Sequence, residues 1–331
     1  MRRTLLLFAA LVACSPDTFS SDDGGGTDAG PTDSAPNSDV IVSGDAGDGA
    51  APAAWQQVSS FPGSGETLHG VWGRTANDVY VVGEAGNLYK WDGNWTQTGT
   101  GTSRLLFGVA GDAIHEYIVG QGGFEDVVSL GNHTVSSDGA GQPLYGVAVD
   151  GSGTGTVWGV GLNNAVVAYN GTSWQNHSAQ FGSDRTCYAV SNDLAACAGG
   201  YVRNVSSAQD IDTLAGSDLL GIWAGAAGVV AVGKNGSVAA MDPSSSWSHW
   251  EAGTGDLTAV VWEQGRIYAT GIDGNVYEGA LDLTTTLAFG GFQGTKIGSG
   301  AALRGIAVTG DVSNRWVWVV GDAGTVYRKH L

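Results

Sequence analysis

The chain has 331 residues, 42% of them hydrophobic and only 14% charged, with a formal net charge of -18. That length suits one large or two ordinary domains, and the 14 scattered Lys and Arg exclude nucleic acid, whose phosphate backbone requires clustered cations. The acidity serves solubility and leaves cationic partners or divalent metals open, while 55 glycines without a three-residue period point to many tight turns.

At the start, Arg2 and Arg3 precede an apolar run over residues 5–12. The run is too short to span a bilayer and has the proportions of a signal-peptide core. It closes on Leu11-Val12-Ala13-Cys14, which resembles the lipobox of bacterial lipoproteins. The resemblance implies that residues 1–13 are a signal peptide and that Cys14 becomes a lipidated N terminus. Acyl chains such as palmitate would sit on its sulfur and amine, and several chains anchor stably where one is marginal. An ordinary secretory signal cleaved near Ala13 is the alternative. Ser15 after the cysteine, in place of Asp, resembles the default for outer-membrane sorting. The expected location is therefore exported and lipid-anchored at the outer membrane, facing the periplasm or the surface.

Residues 14–54 read as that anchor cysteine followed by a disordered tether. The stretch is rich in Asp, Gly, Ser, Ala and Pro and too poor in large apolar residues to fold. Its aspartates lack the spacing of an EF-hand loop.

From residue 55 to 331 one pattern recurs. Its clearest copy runs Leu68-His69-Gly70-Val71-Trp72-Gly73, Asp78-Val79-Tyr80-Val81-Val82-Gly83, Gly86-Asn87-Leu88-Tyr89-Lys90-Trp91 and Trp95-Thr96-Gln97. Short runs of Val, Tyr and Trp bounded by Gly, Asn or Asp are strand and hairpin signals. Each copy is thus four short antiparallel strands, a to d. Further copies begin at Leu106, Leu144, Cys187, Leu220, Leu257 and Leu303, about 40 residues apart, the spacing of propeller blades. Seven copies fit, and six or eight stay open because the Cys187 copy is degenerate.

The two ends of this region complement each other. The last copy stops at strand c, Val326-Tyr327-Arg328-Lys329, whereas Trp55-Gln56-Gln57-Val58 resembles the strand d segments Trp95-Thr96-Gln97 and Trp174-Gln175-Asn176. The N-terminal segment should supply the missing strand and remove an exposed sheet edge. The fold class expected is all-β, a seven-bladed β-propeller of four-stranded antiparallel blades closed by an N-terminal strand.

The Gly-Val-Trp-Gly, Asp-Val-Tyr-Val-Val-Gly and Asp-Gly-Asn-Trp segments of the first copy resemble BNR/Asp-box-like propeller repeats. That broad group includes sialidase-like and photosystem II assembly-factor propellers, and such repeats also occur in lipoproteins of myxobacteria-like organisms. Sialidase-like chemistry would imply an arginine cluster, a Tyr–Glu pair and an acidic donor. Arg74 and Arg315 fall at a–b turns and Arg104 and Arg304 near the start of strand a, so the arginines do not converge.

The six His residues are dispersed with no metal-ligand spacing, so neither a metal nor a cofactor is expected. His69 opens a strand near the expected central tunnel. No nucleophile elbow or phosphate loop leads into a helix. Cys187 and Cys197 fall on adjacent strands a and b of the fourth copy, in a chain bound for an oxidising compartment. A disulfide is the expected pairing, two free buried thiols the alternative.

With strand a innermost, the b–c and d–a loops share one rim. The b–c hairpins place Glu84, Gln121, Lys234, Asp273 and Asp322 there, and these form the candidate binding rim. Short loops around a depression suit a protein segment or a glycan better than a deep catalytic pocket. The expected function is a monomeric, membrane-anchored, non-catalytic scaffold binding a protein or polysaccharide partner at the cell envelope. The alternative is a glycan hydrolase or lyase with a site on one rim, which would need two nearby carboxylates with stacking aromatics.

Overall fold

The computed structural model describes residues 54–331 except 130, 137–140, 152–154, 183 and 286. The lipobox, Cys14 and the tether up to residue 53 lie outside the described residues. The described chain forms seven four-stranded antiparallel sheets, each in the spatial order a-b-c-d. Blade 1 shows the plan, with strands Leu68–Thr75, Asp78–Gly83, Asn87–Trp91 and Trp95–Gly99. In blade 7, strands Leu303–Thr309, Trp316–Gly321 and Thr325–His330 are completed by Gln56–Gln57. Gln56 pairs with Arg328 and Gln57 with Tyr327, and the Val58 N–H donates to the Val326 carbonyl at 3.0 Å. The split blade closes the ring as the sequence led us to expect.

The copies begin where the repeat placed them, except in blade 5. There strand a is Leu219–Gly225, and Leu219, not Leu220, pairs with Gly233. Two adjacent leucines made the register ambiguous by one residue, and one residue decides which face a side chain takes.

Burial explains why the ring must close. Seven apolar clusters each join two adjacent blades, for example Val82, Leu88 and Tyr80 of blade 1 with Leu106 and Ile118 of blade 2. No blade has a core to itself. The cluster between blades 7 and 1 includes Val58, Trp318, Val320, Val81 and Tyr89, so the closing strand also packs there.

Two local devices set the inner edge of each blade. At the top of strands a and b a leucine stands opposite a glycine, as with Leu68 and Gly83 or Leu144 and Gly161. A Cβ on Gly161 would lie 1.9 Å from the Pro143 carbonyl, so no larger residue fits there. Next, in every blade, the ladder skips the second residue of strand a, a β-bulge. Bulges redirect a side chain and recur beside functional sites.

The b–c hairpins turn sharply. In the Glu84–Gly86 turn, Ala85 and Gly86 both have positive φ, of 58° and 71°, the geometry of a type I′ hairpin. In blade 3 Asn164 takes the place of that glycine with φ 68°, and asparagine tolerates it because its short amide bonds locally. The amide donates to the Ser178 carbonyl at 2.8 Å, and its oxygen accepts from Arg203 of blade 4.

Candidate functional site

The seven bulged residues are His69, Phe107, Tyr145, Tyr188, Leu220, Thr258 and Arg304. All are half-buried and ring the end of the central channel on the b–c and d–a rim. His69, Tyr145, Tyr188, Leu220, Thr258 and Arg304 line a cavity of about 170 Å³, and Phe107 packs between His69 and Tyr145. Four of the ring residues form one continuous aromatic arc. His69 and Phe107 have centroids 5.2 Å apart, Phe107 and Tyr145 5.3 Å, and Tyr145 and Tyr188 6.1 Å at an interplanar angle of 18°. The other side of the ring is Leu220, Thr258 and Arg304. Thr258 donates its hydroxyl to the Leu303 carbonyl at 2.8 Å, tying blade 6 to blade 7.

Next along strand a, each blade contributes one β-branched residue to the same cavity. Val71, Val109, Val147, Val190, Ile222, Val260 and Ile306 are each between 4% and 9% exposed, so all seven blades contribute alike.

Charge at the mouth comes in pairs. Arg304 forks onto Asp322, Nε to Oδ1 at 2.5 Å and a terminal nitrogen to Oδ2 at 3.0 Å. Lys234 donates to Asp218 at 2.7 Å. That ammonium holds the Asp218 carboxyl below its ordinary range. Burial pushes the His69 imidazole down, and the neighbouring Arg304 guanidinium adds to it, so the ring is neutral near pH 7.

The five rim residues expected from sequence fall on five b–c hairpins of this rim, and no hydrogen bond or ion pair joins any two of them. Glu84 accepts the Thr67 N–H at 3.3 Å. Gln121 donates its backbone N–H to Leu105 at 2.8 Å. Asp273 accepts from the Tyr277 hydroxyl at 2.5 Å and from the Asn275 amide at 2.6 Å. Burial raises that carboxyl, but these donors bring it below its ordinary range. Lys234 and Asp322 are the ion-pair members already described. Through their side chains Glu84 and Lys234 thus hold their hairpins against the adjoining d–a loops, Asp322 ties its hairpin to strand a, and Asp273 braces its own hairpin. Of the inner ring the sequence placed only His69 near the channel, with Arg304 noted as a scattered arginine and Leu220 as the start of a copy. The signal was the x of Leu-x-Gly-Val, the most variable position of the segment, whose other positions change only to Cys, Ala or Ile.

Of the arginines that failed to converge in sequence, Arg304 lies at the mouth and Arg104 reaches the Gln121 and Gly122 carbonyls of the same rim, whereas others link the opposite rim and adjacent blades. Arg74 binds Asp78 at 2.5 Å, the Tyr80 hydroxyl at 2.9 Å, the Asp112 carbonyl at 3.1 Å and also Glu116 of blade 2. Arg315 of blade 7 pairs with Glu263 of blade 6. Arg203, 1% exposed, forks onto Asp210 at 2.7 and 3.1 Å and lies over the Phe181 ring.

A larger recess, about 930 Å³, opens between blades 6 and 7 on the other rim, lined by Tyr268, Phe292, Glu263 and Glu278. Lys329 donates to both Glu278 oxygens at 2.7 and 2.8 Å, and the Trp55 indole N–H reaches Glu278 at 3.1 Å. Among the described residues, no three His, Cys, Asp or Glu side chains group as a metal site. Cys187 and Cys197 are joined by a disulfide.

No family model matches the chain, and no curated protein does. Solved propellers resemble it in shape. The WD40 β-propeller domain of Doa1 covers 83% of this chain and 96% of its own length at 13% identity, with a TM-score of 0.63. The WD40 repeats of RRP9 cover 85% of this chain and 99% of their own at 11% identity, with a TM-score of 0.67. At such identities the likeness shows the propeller fold alone.

Proposed function

We propose that this chain is a membrane-anchored, non-catalytic scaffold at the cell envelope, taking a protein or polysaccharide partner at the channel mouth. The observation that carries the reading is the ring of bulged residues, where a repeated bulge presents one side chain per blade at the position of strand a that varies most. A ladder that repeats seven times while its redirected residue varies reserves that residue for contact rather than for packing. The mouth carboxylates support a non-catalytic role. Asp218 and Asp273 are held ionised by their donors, whereas a glycosidic proton donor needs a raised carboxyl.

The closing strand supports the anchoring side of the proposal. It runs from the c–d rim towards the mouth rim, so Ala54 stands on the face opposite the mouth. Cys14→Ser should move the protein from the membrane to the soluble fraction, and continued membrane retention would contradict lipidation. For partner binding, the test is crosslinking and pull-down from intact cells. Tyr145→Ala with Tyr188→Ala should abolish capture by a folded chain, and undiminished capture would exclude the mouth.

One observation favours the enzymatic alternative. Glu263 and Glu278 share the recess between blades 6 and 7 with Phe292 and Tyr268. Each glutamate is committed to a cation, Arg315 or Lys329, which favours a linking role. Glycan cleavage abolished by Glu278→Gln in a chain of unchanged stability would establish the alternative.

A further inference from the structure

We propose that the mouth receives the terminal unit of an uncharged polysaccharide, one sugar ring deep. The inference rests on the reading of the mouth as the binding site and adds the chemistry of its occupant.

Size comes first. The cavity of about 170 Å³ is lined by the mouth residues together with the β-branched residues next to them, and that volume suits a single small unit better than a longer segment. A polypeptide end would bring backbone N–H and C=O groups against the aliphatic lining, where unpaired polar groups are costly. A sugar ring can rest its C–H face on an aromatic wall, with hydroxyls at its edge free to bond the polar tips of the ring residues.

The walls suit that division. Tyr145 and Tyr188 are nearly parallel, with Phe107 edge-on to Tyr145, and the two tyrosines add a phenolic hydroxyl to this aromatic wall. Such rings combine an apolar body with a polar tip. Opposite them stand Leu220, Thr258 and Arg304.

Charge then selects among ligands. The only cation in the ring, Arg304, is already forked onto Asp322, and Lys234 beside Tyr188 is held by Asp218. An anionic ligand finds its cations taken and meets Glu84 and Asp322. A cationic ligand meets Arg304. A hydroxyl both donates and accepts, so it can bond to both members of an ion pair without separating them. The remaining rim acids take donors from nearby backbone or side chains, as Asp256 does from the Asn235 N–H at 3.0 Å.

The test is titration calorimetry on the full chain in detergent. The probes are cellohexaose, maltohexaose and laminarihexaose, with hexagalacturonate and hexalysine as charged comparisons. At least one neutral hexasaccharide should bind saturably, with affinity changing less than about twofold between ~20 and ~500 mM salt. Tyr145→Ala and Tyr188→Ala should each weaken it about tenfold, the scale of one lost aromatic contact. Tyr188→Phe should weaken it less, and Phe292→Ala in the other recess should leave it unchanged. Thermal unfolding of each variant keeps loss of binding separate from loss of fold. Absence of binding by every neutral probe overturns the proposal, as does salt-sensitive binding of a charged probe alone. In both cases, if Tyr188→Ala still abolishes capture of the cellular partner, the mouth stands as the site and only the saccharide is wrong. If capture is indifferent to both tyrosines, the mouth itself is wrong.

Discussion

Cys187 and Cys197 stand directly opposite each other in blade 4, at the two positions that a leucine and a glycine hold in the six other blades. At five of the six glycines the opposing backbone comes too close for a Cβ, at Gly271 the Asp273 and Tyr277 side chains do, and the leucine fills the adjoining core. A disulfide replaces both functions with one covalent bond. Blade 4 is also the copy whose repeat was hardest to read, and this substitution is a reason.

The first prediction follows from that exchange. Closing so short a loop is worth roughly 2–3 kcal/mol. Cys187→Ser with Cys197→Ser should lower unfolding stability by about that amount, since it removes the bond without restoring the packing. Cys187→Leu with Cys197→Gly rebuilds the pair used elsewhere and should recover part of the loss. Chemical unfolding of the three proteins compares them, and equal losses for both double variants would mean the positions are not equivalent.

A second prediction concerns the glycines at the end of strand b. On Gly233 a Cβ would lie 2.0 Å from the Asp218 carbonyl, whereas on Gly93 it would meet nothing within 4 Å. Gly233→Ala should destabilise by about 2–3 kcal/mol through forced backbone movement. Gly93→Ala, with φ +107° as its only difficulty, should cost about 1–2 kcal/mol. The difference in unfolding midpoint measures this directly.

Third, the link between blades 3 and 4 should be asymmetric. Arg203 is buried and Asp210 is its main anionic partner, while Asn164 accepts another of its protons. Asp210→Ala leaves a buried guanidinium short of its anion and should cost about 3–5 kcal/mol. Arg203→Met removes the charge and keeps the contact with Phe181, so it should cost less. A reversed order in thermal denaturation would contradict this account.

Fourth, acid should loosen the turns on the rim away from the mouth. The Ser313 hydroxyl and N–H hold Asp311 below its ordinary range, and the Ser244 hydroxyl does the same for Asp242. At Asp112 burial pushes upward, but the N–H groups of Ile114 and His115 and the Tyr117 hydroxyl outweigh it. A carboxyl lowered by folding contributes stability that is complete above its unfolded value, near 4, and lost as pH falls through the folded value. Melting temperature should therefore fall between about pH 4 and 2, and Asp112→Asn should fall less steeply. An identical pH profile for the variant would count against Asp112.

The propeller was legible because its determinants are local and repeated. Leu-x-Gly-Val, the strand b glycine and the turn residues recur in phase, and the missing last strand reappears at Trp55. The paired leucines Leu219 and Leu220 misled by one residue because either satisfies a strand pattern. The disulfide was legible because both cysteines fall on neighbouring strands of one copy.

The site was only partly legible. Hairpin positions such as Glu84 and Asp322 could be placed on one rim, but their ion-pair and hydrogen-bond partners sit in other loops. Links such as Arg74 to Glu116 and Arg315 to Glu263 join residues 42 and 52 apart, and only the folded ring brings them together. The mouth itself is spread over seven segments, each contributing one residue. A pattern search finds what repeats, and the residues of the mouth are those that do not.

The most direct test of the mouth as the binding site is photocrosslinking in intact cells. A photoreactive residue is placed at Tyr188 on the mouth, or at Asn77 on the opposite rim. Both proteins should reach the membrane and fold, and only the one labelled at 188 should yield a discrete adduct with a partner. An adduct from position 77 and none from 188 would place binding on the other face and contradict the account.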